Sequence, residues 1–304
     1  MENLKAHYHL PGLFEFYDLY RIFLELFYSH RDWFYPWCDI GSIYGAPRDC
    51  LWGGGRCASS DVHLDDVISL VKEFKFSPRL TLSNSLLKSE HLKDKKCNML
   101  CRKFAEFTQA DSEIIVGAIV HSEILLEYLR KNFPSFYLVS STTKVITEFS
   151  KFSMELERPE FKYVVPDFRL NKSFENLNLL SQDKKDKVEF LCNECCSVGC
   201  TERKLCYENV SRRNLGQDVK EHRCSAPKGE GGYRFSLAMK NPSFISIDDI
   251  KDKYLKNGFT NFKIEGRALG SAVVLEILLY YMTKPEHQLE VREAVYLDSM
   301  LDLF

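Results

Sequence analysis

The chain has 304 residues, of which 45% are hydrophobic and 13% aromatic, a composition typical of a globular protein with a full core. Its formal net charge is −2, which excludes a strongly basic or strongly acidic protein and gives no support to RNA as a partner, although RNA stays an alternative. No apolar run reaches the ~18–20 residues of a membrane span, and the first residues lack the order of a secretion signal. We therefore expect a cytoplasmic protein with no membrane partner.

Apolar runs with β character alternate with helical patterns along most of the chain. A first helix is predicted at 13–28, after the turn signal at Pro11-Gly12. The predicted strands are 39–44, 78–82, 113–118, 136–140, 162–165, 188–191, 244–247 and 261–264. Helices are predicted at 62–74, 122–132, 142–152, 173–180 and 247–257, with C-terminal helices over 269–304.

This alternation predicts an α/β fold, a TIM-like (β/α)8 barrel that forms a single domain over 1–304. A doubly wound parallel sheet is the alternative. Within the barrel, the irregular composition of 192–234 predicts a long cysteine-rich loop. A loop of this length inside a compact domain usually has a function.

Cysteines concentrate in that loop, where six of the chain's eleven lie between Cys192 and Cys224. Cys196 and Cys200 are spaced Cys-x3-Cys directly after a predicted strand, and Cys224 ends the following loop. Thiolates at loop positions bind an iron–sulfur cluster or zinc, so we expect a metal or iron–sulfur site here, with zinc as the alternative to the cluster. Scattered free thiols are a further alternative. The candidates for a fourth ligand are Cys206, Cys38, Cys50 and Cys57.

Polar residues follow several predicted strands, where a barrel of this kind places its active site. Three of them, His121, Asp167 and Glu265, are candidates for acid–base work. Arg267 is a candidate for binding an anionic group of a substrate, because a guanidinium makes two parallel hydrogen bonds to a carboxylate or phosphate. The candidates for cofactor binding are Gly54, Gly55 and Arg56 in a glycine-rich loop, and Asn193 after the strand at 188–191.

Two segments carry a resemblance to a known family. The pattern Asn-Glu-x-Cys-x3-Cys-x2-Arg at 193–203 resembles a segment of proteins related to peptidase family U32, the collagenase-like group, and Phe-Lys-Ile-Glu-Gly-Arg at 262–267 is similar to another. Further segments at 44–56, 79–84 and 140–144 are similar to a bacterial branch of that group. The resemblance therefore spans most of the chain.

The resemblance implies a TIM-like barrel. For several relatives it also implies a 4Fe–4S cluster, held by four cysteines, that takes part in oxygen-independent hydroxylation of RNA bases or of a quinone precursor. Carried onto this sequence, it implies Cys196, Cys200 and Cys224 as ligands, with Cys206 as the nearest fourth. A peptidase or peptide-binding protein with a structural zinc is the alternative, as is a non-catalytic barrel with a protein partner. The sequence contains no recognisable hydrolytic motif.

Overall fold

A computed structural model describes residues 4–55, 62–220, 222, 224 and 233–300, with side chains as far as Leu297. Eight parallel strands form one sheet in the spatial order β6-β5-β4-β3-β2-β1-β8-β7. The edges of this sheet meet at a parallel bridge between Val164 and Val188, where the Val164 N–H donates to the carbonyl of Lys187 at 2.8 Å. The sheet is thereby closed, and the predicted TIM-like barrel is confirmed. The strands are β1 (Ala6–Pro11), β2 (Cys38–Gly45), β3 (Pro78–Leu82), β4 (Gly117–Val120), β5 (Tyr137–Ser140), β6 (Phe161–Val164), β7 (Glu189–Leu191) and β8 (Asn261–Lys263).

Helices connect successive strands on the outside of the barrel. The longer of these helices present buried apolar side chains to the sheet, as Val67, Leu70 and Val71 do in the helix after β2. The α-helices among the described residues are α1 (Tyr17–Ser29), α2 (Leu64–Phe74), α3 (Lys95–Ala110), α4 (Glu123–Asn132), α5 (Phe149–Leu156), α6 (Phe174–Leu177), α7 (Gln182–Lys185), α8 (Arg203–Asn214), α9 (Phe235–Ala238), α10 (Ile247–Asp249), α11 (Ser271–Met282) and α12 (Gln288–Met300).

The predicted number of strands is right, but one predicted strand is wrong and one strand of the barrel is missing from the prediction. The segment 244–247 is not a strand: the Ile245 N–H donates to the Cys192 carbonyl at 3.0 Å, and its own carbonyl accepts from the Tyr281 hydroxyl at 2.8 Å. This apolar run is buried against the outside of the barrel rather than paired in the sheet. The strand that replaces it is β1, which pairs with both β2 and β8. Its alternation of His7 and His9 with apolar neighbours is a strand pattern.

Two further boundaries differ from the sequence predictions. The strand predicted at 113–118 lies at Gly117–Val120, so His121 still follows it directly. The segment 192–234 is not a continuous loop, because it contains the 12-residue helix α8. The predicted C-terminal helices are present as α11 and α12, and the Arg292 guanidinium of α12 joins them through two bonds of 2.8 and 2.9 Å to the Glu276 carboxylate.

The barrel interior holds a layer of buried ionic side chains. The Glu189 carboxylate lies 2.5 Å from Arg79 Nη1, 3.3 Å from Lys263 Nζ and 3.5 Å from His9 Nε2. Burial alone would raise the pKa of Glu189, but its cationic neighbours, Arg79 first, lower it to about 2. Burial lowers the pKa of Lys263 to about 8, against the opposing effect of Glu189. The layer is therefore held together by one carboxylate shared among several cations.

An apolar layer also fills the barrel interior and is separate from the main core beneath the helices. It consists of one side chain from or just after each of five strands: Tyr44, Ile119, Val139, Val165 and Leu191. Tyr44 joins it to the ionic layer, because the Lys263 ammonium lies 3.5 Å from the centroid of the Tyr44 ring. The C-terminal opening of the barrel lies above this layer, since each of these residues lies within one position of the end of its strand.

Helix α8 lies across that opening. Near its C-terminal end, the Ser211 carbonyl accepts from Asn84 Nδ2 at 3.2 Å, and the Ser211 hydroxyl accepts from the Ser85 N–H at 3.1 Å. The Asn214 amide donates to the Gly53 carbonyl at 2.8 Å. These bonds connect the segment after β7 to the loops that follow β2 and β3, so α8 covers the C-terminal end of the barrel.

Candidate functional site

Two cavities adjoin at the C-terminal end of the barrel. The smaller one, which we call the mouth pocket, has a volume of about 70 Å³ and lies above the apolar layer. The larger one, the cysteine cavity, has a volume of about 780 Å³ and lies outside it, against α8 and the loop after β7. Tyr207, Glu265 and Arg267 line both cavities, so these three side chains form the wall between them.

Five cysteines line the cysteine cavity: Cys195, Cys196, Cys200, Cys206 and Cys224. The four cysteines predicted as ligands are therefore placed around one cavity, together with Cys195. The other candidates for a fourth ligand lie elsewhere. Cys38 begins β2, at the opposite end of the barrel, and Cys50 is buried with its Sγ 3.6 Å from that of Cys97. Cys57 lies outside the described residues.

The side chains at this end of the barrel differ in how closely their ligand atoms lie together. Over the part of the chain that the structure describes, the group whose ligand atoms all lie within 4.8 Å of one another is Glu194, Cys195 and Glu265. No three of the four predicted cysteines meet that limit, whereas sulfurs on one tetrahedral zinc lie roughly 3.8 Å apart, from a Zn–S bond of about 2.3 Å. A polynuclear cluster lies between its ligands and keeps their sulfurs further apart.

Hydrogen bonds to the backbone hold the cysteine-bearing loop at both ends. At its start, the Glu194 carboxylate accepts from the N–H groups of Cys195 and Cys196 at 2.9 and 3.0 Å. At its end, the Arg169 guanidinium donates to the carbonyls of Val198 and Cys200 at 2.9 and 2.5 Å. The positions of the Cys-x3-Cys pair are thus set by one acidic and one basic side chain.

Arg203 supports this loop from below. Its guanidinium is fully buried, 2.5 Å from the Glu194 carboxylate and 3.3 Å from the Asp167 carboxylate, and it lies over the rings of Phe168 and Tyr207. Burial raises the pKa of Asp167, while Arg203 opposes that rise. Asp167 lies beneath the loop and does not line either cavity, so the structure gives this predicted acid–base candidate a positioning role.

Two other candidates are tied to neighbouring loops. The Asn193 amide exchanges a pair of 2.8 Å hydrogen bonds with the backbone N–H and carbonyl of Glu265, which fastens the end of β7 to the end of β8. The Arg267 guanidinium donates to the Glu15 carboxylate at 2.8 Å and to the Ala46 carbonyl at 3.3 Å. Asn193 therefore orients Glu265, and Arg267 reaches both cavities from a fixed position.

His121 contacts the mouth pocket through a neighbour. Its Nδ1 lies 2.9 Å from the Thr143 hydroxyl, which in turn donates to the Ser141 hydroxyl at 2.9 Å. Thr143 and Ser141 line the mouth pocket, while His121 lies behind them. Burial, helped by Lys144 and Lys204, lowers the pKa of His121 to about 4, so the imidazole is neutral at pH 7.

This neutral histidine predicts a stability that falls with acid. Because the folded-state pKa lies below the unfolded value of about 6.5, the unfolded chain binds the proton first as pH falls. The free energy of unfolding is expected to decrease from about pH 6.5 to pH 4, by up to about 1.4 kcal/mol per pH unit for this group. Urea unfolding at several pH values measures the slope. His121→Asn, which keeps a donor and an acceptor, should show a shallower slope, and an unchanged slope would argue against this origin.

The glycine-rich loop reaches the mouth pocket through Gly54 and Gly55. A Cβ on Gly54 would lie 2.4 Å from the backbone carbonyl of Ser83, so only glycine fits against the end of β3. Gly55 has φ +79°, a left-handed conformation that favours glycine. The third residue predicted in this loop, Arg56, lies outside the described residues.

Gly54→Ala is therefore expected to lower the free energy of unfolding by about 1–3 kcal/mol, because the new methyl group must displace the backbone of β3. Gly199→Ala is the matched control, since a Cβ there meets no atom within 4 Å. Chemical denaturation of both variants measures the difference. Equal stability of the two variants would contradict the close approach.

Lys263 is the site residue that the sequence analysis does not identify. It lines the mouth pocket as the last residue of β8, and its side chain points into the barrel. The alternation along β8 is the sequence pattern that could identify Lys263. Asn261, Lys263 and Glu265 fall on one face of the strand, while Phe262 and Ile264 fall on the other. A charged residue inside an apolar strand indicates an interior position with a partner, here Glu189.

Comparisons with known proteins add a distant likeness. No protein-family model matches the sequence, and no curated protein is found as a relative. None of the described helices is both long enough and apolar enough to cross a membrane. A solved structure of a U32 peptidase is similar to the chain, with 15% sequence identity, a TM-score of 0.46 and coverage of 75% of this chain and 86% of that one. The family in that protein's name is the one that the sequence resembles.

Proposed function

We propose that this protein is an iron–sulfur-dependent redox enzyme whose cluster lies in the cysteine cavity, next to the opening of the barrel. The observation that carries the proposal is the arrangement of five cysteines around one cavity that shares a wall with the mouth pocket. Thiols gathered at the C-terminal end of a barrel lie where such folds place their chemistry. Scattered structural thiols would have no reason to line a single cavity.

The donor set fits a 4Fe–4S cluster better than a zinc ion. The proposed ligands are Cys196, Cys200, Cys224 and Cys206, with Cys195 as a fifth thiol at the same cavity. Four thiolates are the usual ligand set of a 4Fe–4S cluster. The cavity, at about 780 Å³, leaves room for a cluster and part of a substrate.

Side chains of the protein hold the cysteine-bearing loop in place and line the two cavities. When bound, a cluster of this kind supplies electron transfer. The Glu194 and Arg169 side chains fix the loop that carries two of the proposed ligands. Helix α8 places Tyr207 at the wall between the cavities, where Glu265 and Arg267 provide an acid and a cation.

The proposed reaction is a redox modification of a small aromatic compound or an RNA base; in an oxygen-independent hydroxylation, a second substrate donates the oxygen atom and is itself reduced by two electrons. This part rests on the resemblance in the sequence. The cysteine cavity is large enough for an aromatic ring, whereas the mouth pocket is not, so the ring of such a substrate would occupy the cysteine cavity.

Anaerobic purification with analysis of iron, sulfide and zinc tests the proposal. We expect a coloured protein with broad visible absorbance and roughly four irons and four sulfides per chain. Zinc alone, without colour, would contradict it and favour a structural zinc in a peptidase or peptide-binding protein. A protein with neither metal would leave the cysteines as ordinary thiols and a non-catalytic barrel as the better interpretation.

A further inference from the structure

Two buried hydroxyl groups in the mouth pocket have no hydrogen-bond partner among the residues that the structure describes. They belong to Thr81 and Ser83, which lie on the inward face of β3 and its extension and are 6% and 2% exposed. A hydroxyl buried without a partner is unfavourable, and such groups are normally satisfied. Two of them on one wall of a cavity therefore indicate a polar group that the pocket is shaped to receive.

The amine of Lys263 supplies a positive charge to the same pocket. It lies at the end of β8, with its Nζ 3.3 Å from the Glu189 carboxylate and over the Tyr44 ring. Glu189 also bonds Arg79, so one carboxylate is shared between two cations in the barrel interior. The interior can consequently accept a further negative charge beside Lys263.

The size and rim of the pocket restrict what can bind. At about 70 Å³, against the 10–15 Å³ that one water needs, it holds a group of roughly five to seven atoms. Gly54 and Gly55 border the pocket and have no side chains to narrow it. Ile119 and Val165 provide an apolar wall. The pocket lining carries two carboxylates, Glu194 and Glu265, beside the cations Lys263 and Arg267, and this balance disfavours a ligand with two negative charges.

We propose that the mouth pocket is a binding site for a small monocarboxylate, either free or as the end of a longer molecule that extends into the cysteine cavity. Its oxygens accept hydrogen bonds from Lys263 Nζ and from the hydroxyls of Thr81 and Ser83. The methyl or methylene carbon next to the carboxylate packs against the apolar wall. This site does not depend on the metal content of the neighbouring cavity.

Acetate is the probe that tests the site, and saturation-transfer NMR on the full-length protein measures its binding. We expect saturable binding that is weakened about tenfold or more in Lys263→Met, since a hydrogen bond to a charged group is lost. Thr81→Val keeps the shape of the side chain and removes one neutral hydrogen bond, so it should weaken acetate binding about fivefold. Inorganic phosphate should bind less tightly than acetate.

The controls separate this site from non-specific effects and from the cluster. Lys256→Met removes an exposed lysine of the same charge and should leave acetate binding unchanged. Metal content measured on the same samples shows whether acetate binding and the cluster vary independently. Circular dichroism checks folding, and Thr81→Val with Ser83→Ala decides the question if Lys263→Met does not fold. Absence of saturable acetate binding, equal affinity in all variants, or tighter binding of phosphate would overturn the proposal.

Discussion

Glu189→Ala is expected to lower the free energy of unfolding by about 3–5 kcal/mol, the range for breaking a buried ion pair by removing one partner. The carboxylate is fully buried in the barrel interior and lies 2.5 Å from Arg79 Nη1 and 3.3 Å from Lys263 Nζ. Its loss leaves two buried cations without their shared counter-charge. Since the pKa of Glu189 is about 2, below the unfolded value of about 4.5, its contribution is fully present at pH 7 and is lost as pH falls toward 2.

Urea denaturation at pH 7 measures this effect, with Asp252→Ala as the matched control. Asp252 is an exposed acid whose carboxylate lies 2.9 Å from the Lys256 ammonium, so its removal should leave the free energy of unfolding close to that of the wild type. The double variant Glu189→Ala with Arg79→Met should recover part of the loss, because one unpaired charge leaves with its partner. A loss for Glu189→Ala as small as that of the control would contradict the central role of this carboxylate.

The strand alternation that identifies the barrel is encoded locally, and so it can be read from the sequence. The run 117–120 is buried at all four positions between helices and neighbouring strands, and such burial favours continuous apolar character. The wrong strand prediction also depends on local apolar character. The run 244–247 is equally apolar and buried, but against the outside of the barrel, and periodicity does not report which surface covers a segment.

Helix α8 illustrates what sequence patterns leave out. It has no apolar face, and its buried residues include Arg203 and Ser211, which are satisfied by ion pairs and hydrogen bonds rather than by hydrophobic contact. A segment of this composition is predicted as a loop, because its stabilising partners lie in the glycine-rich loop and in the loops after β3, β6 and β7. The position of α8 at the C-terminal end of the barrel is therefore set by tertiary contacts.

The candidate site also contains some residues that the sequence predicts and others that only the folded chain brings together. The grouping of Cys196, Cys200, Cys206 and Cys224 follows from their closeness in the chain, and the structure places all four at one cavity. Lys263, Thr81 and Ser83 come from strands on different sides of the barrel, so only the folded chain brings them to one pocket. Asp167 and Asn193 follow strands as predicted, yet they bond to neighbouring loops, which position along the chain does not indicate.

Cys200→Ala is expected to reduce the iron and sulfide content of anaerobically purified protein by about tenfold or more, because loss of a thiolate ligand leaves a cluster incompletely held. Cys200 lies at the cysteine cavity, and its carbonyl is fixed by the Arg169 guanidinium. The visible absorbance should fall in parallel with the iron content. Iron content equal to that of the wild type would contradict the assignment of Cys200 as a ligand.

Cys97→Ala is the control of the same residue type, since Cys97 is buried in α3 beside Cys50 and does not line the cysteine cavity. It should retain iron and sulfide even if its thermal stability falls. The variants Cys206→Ala and Cys195→Ala then identify the fourth ligand. Cys206 projects from α8, whereas the Cys195 thiol lies 3.5 Å from the Glu194 carboxylate, to which it donates. A thiol that must stay protonated to make that bond is the poorer ligand, so we expect the larger loss of iron from Cys206→Ala.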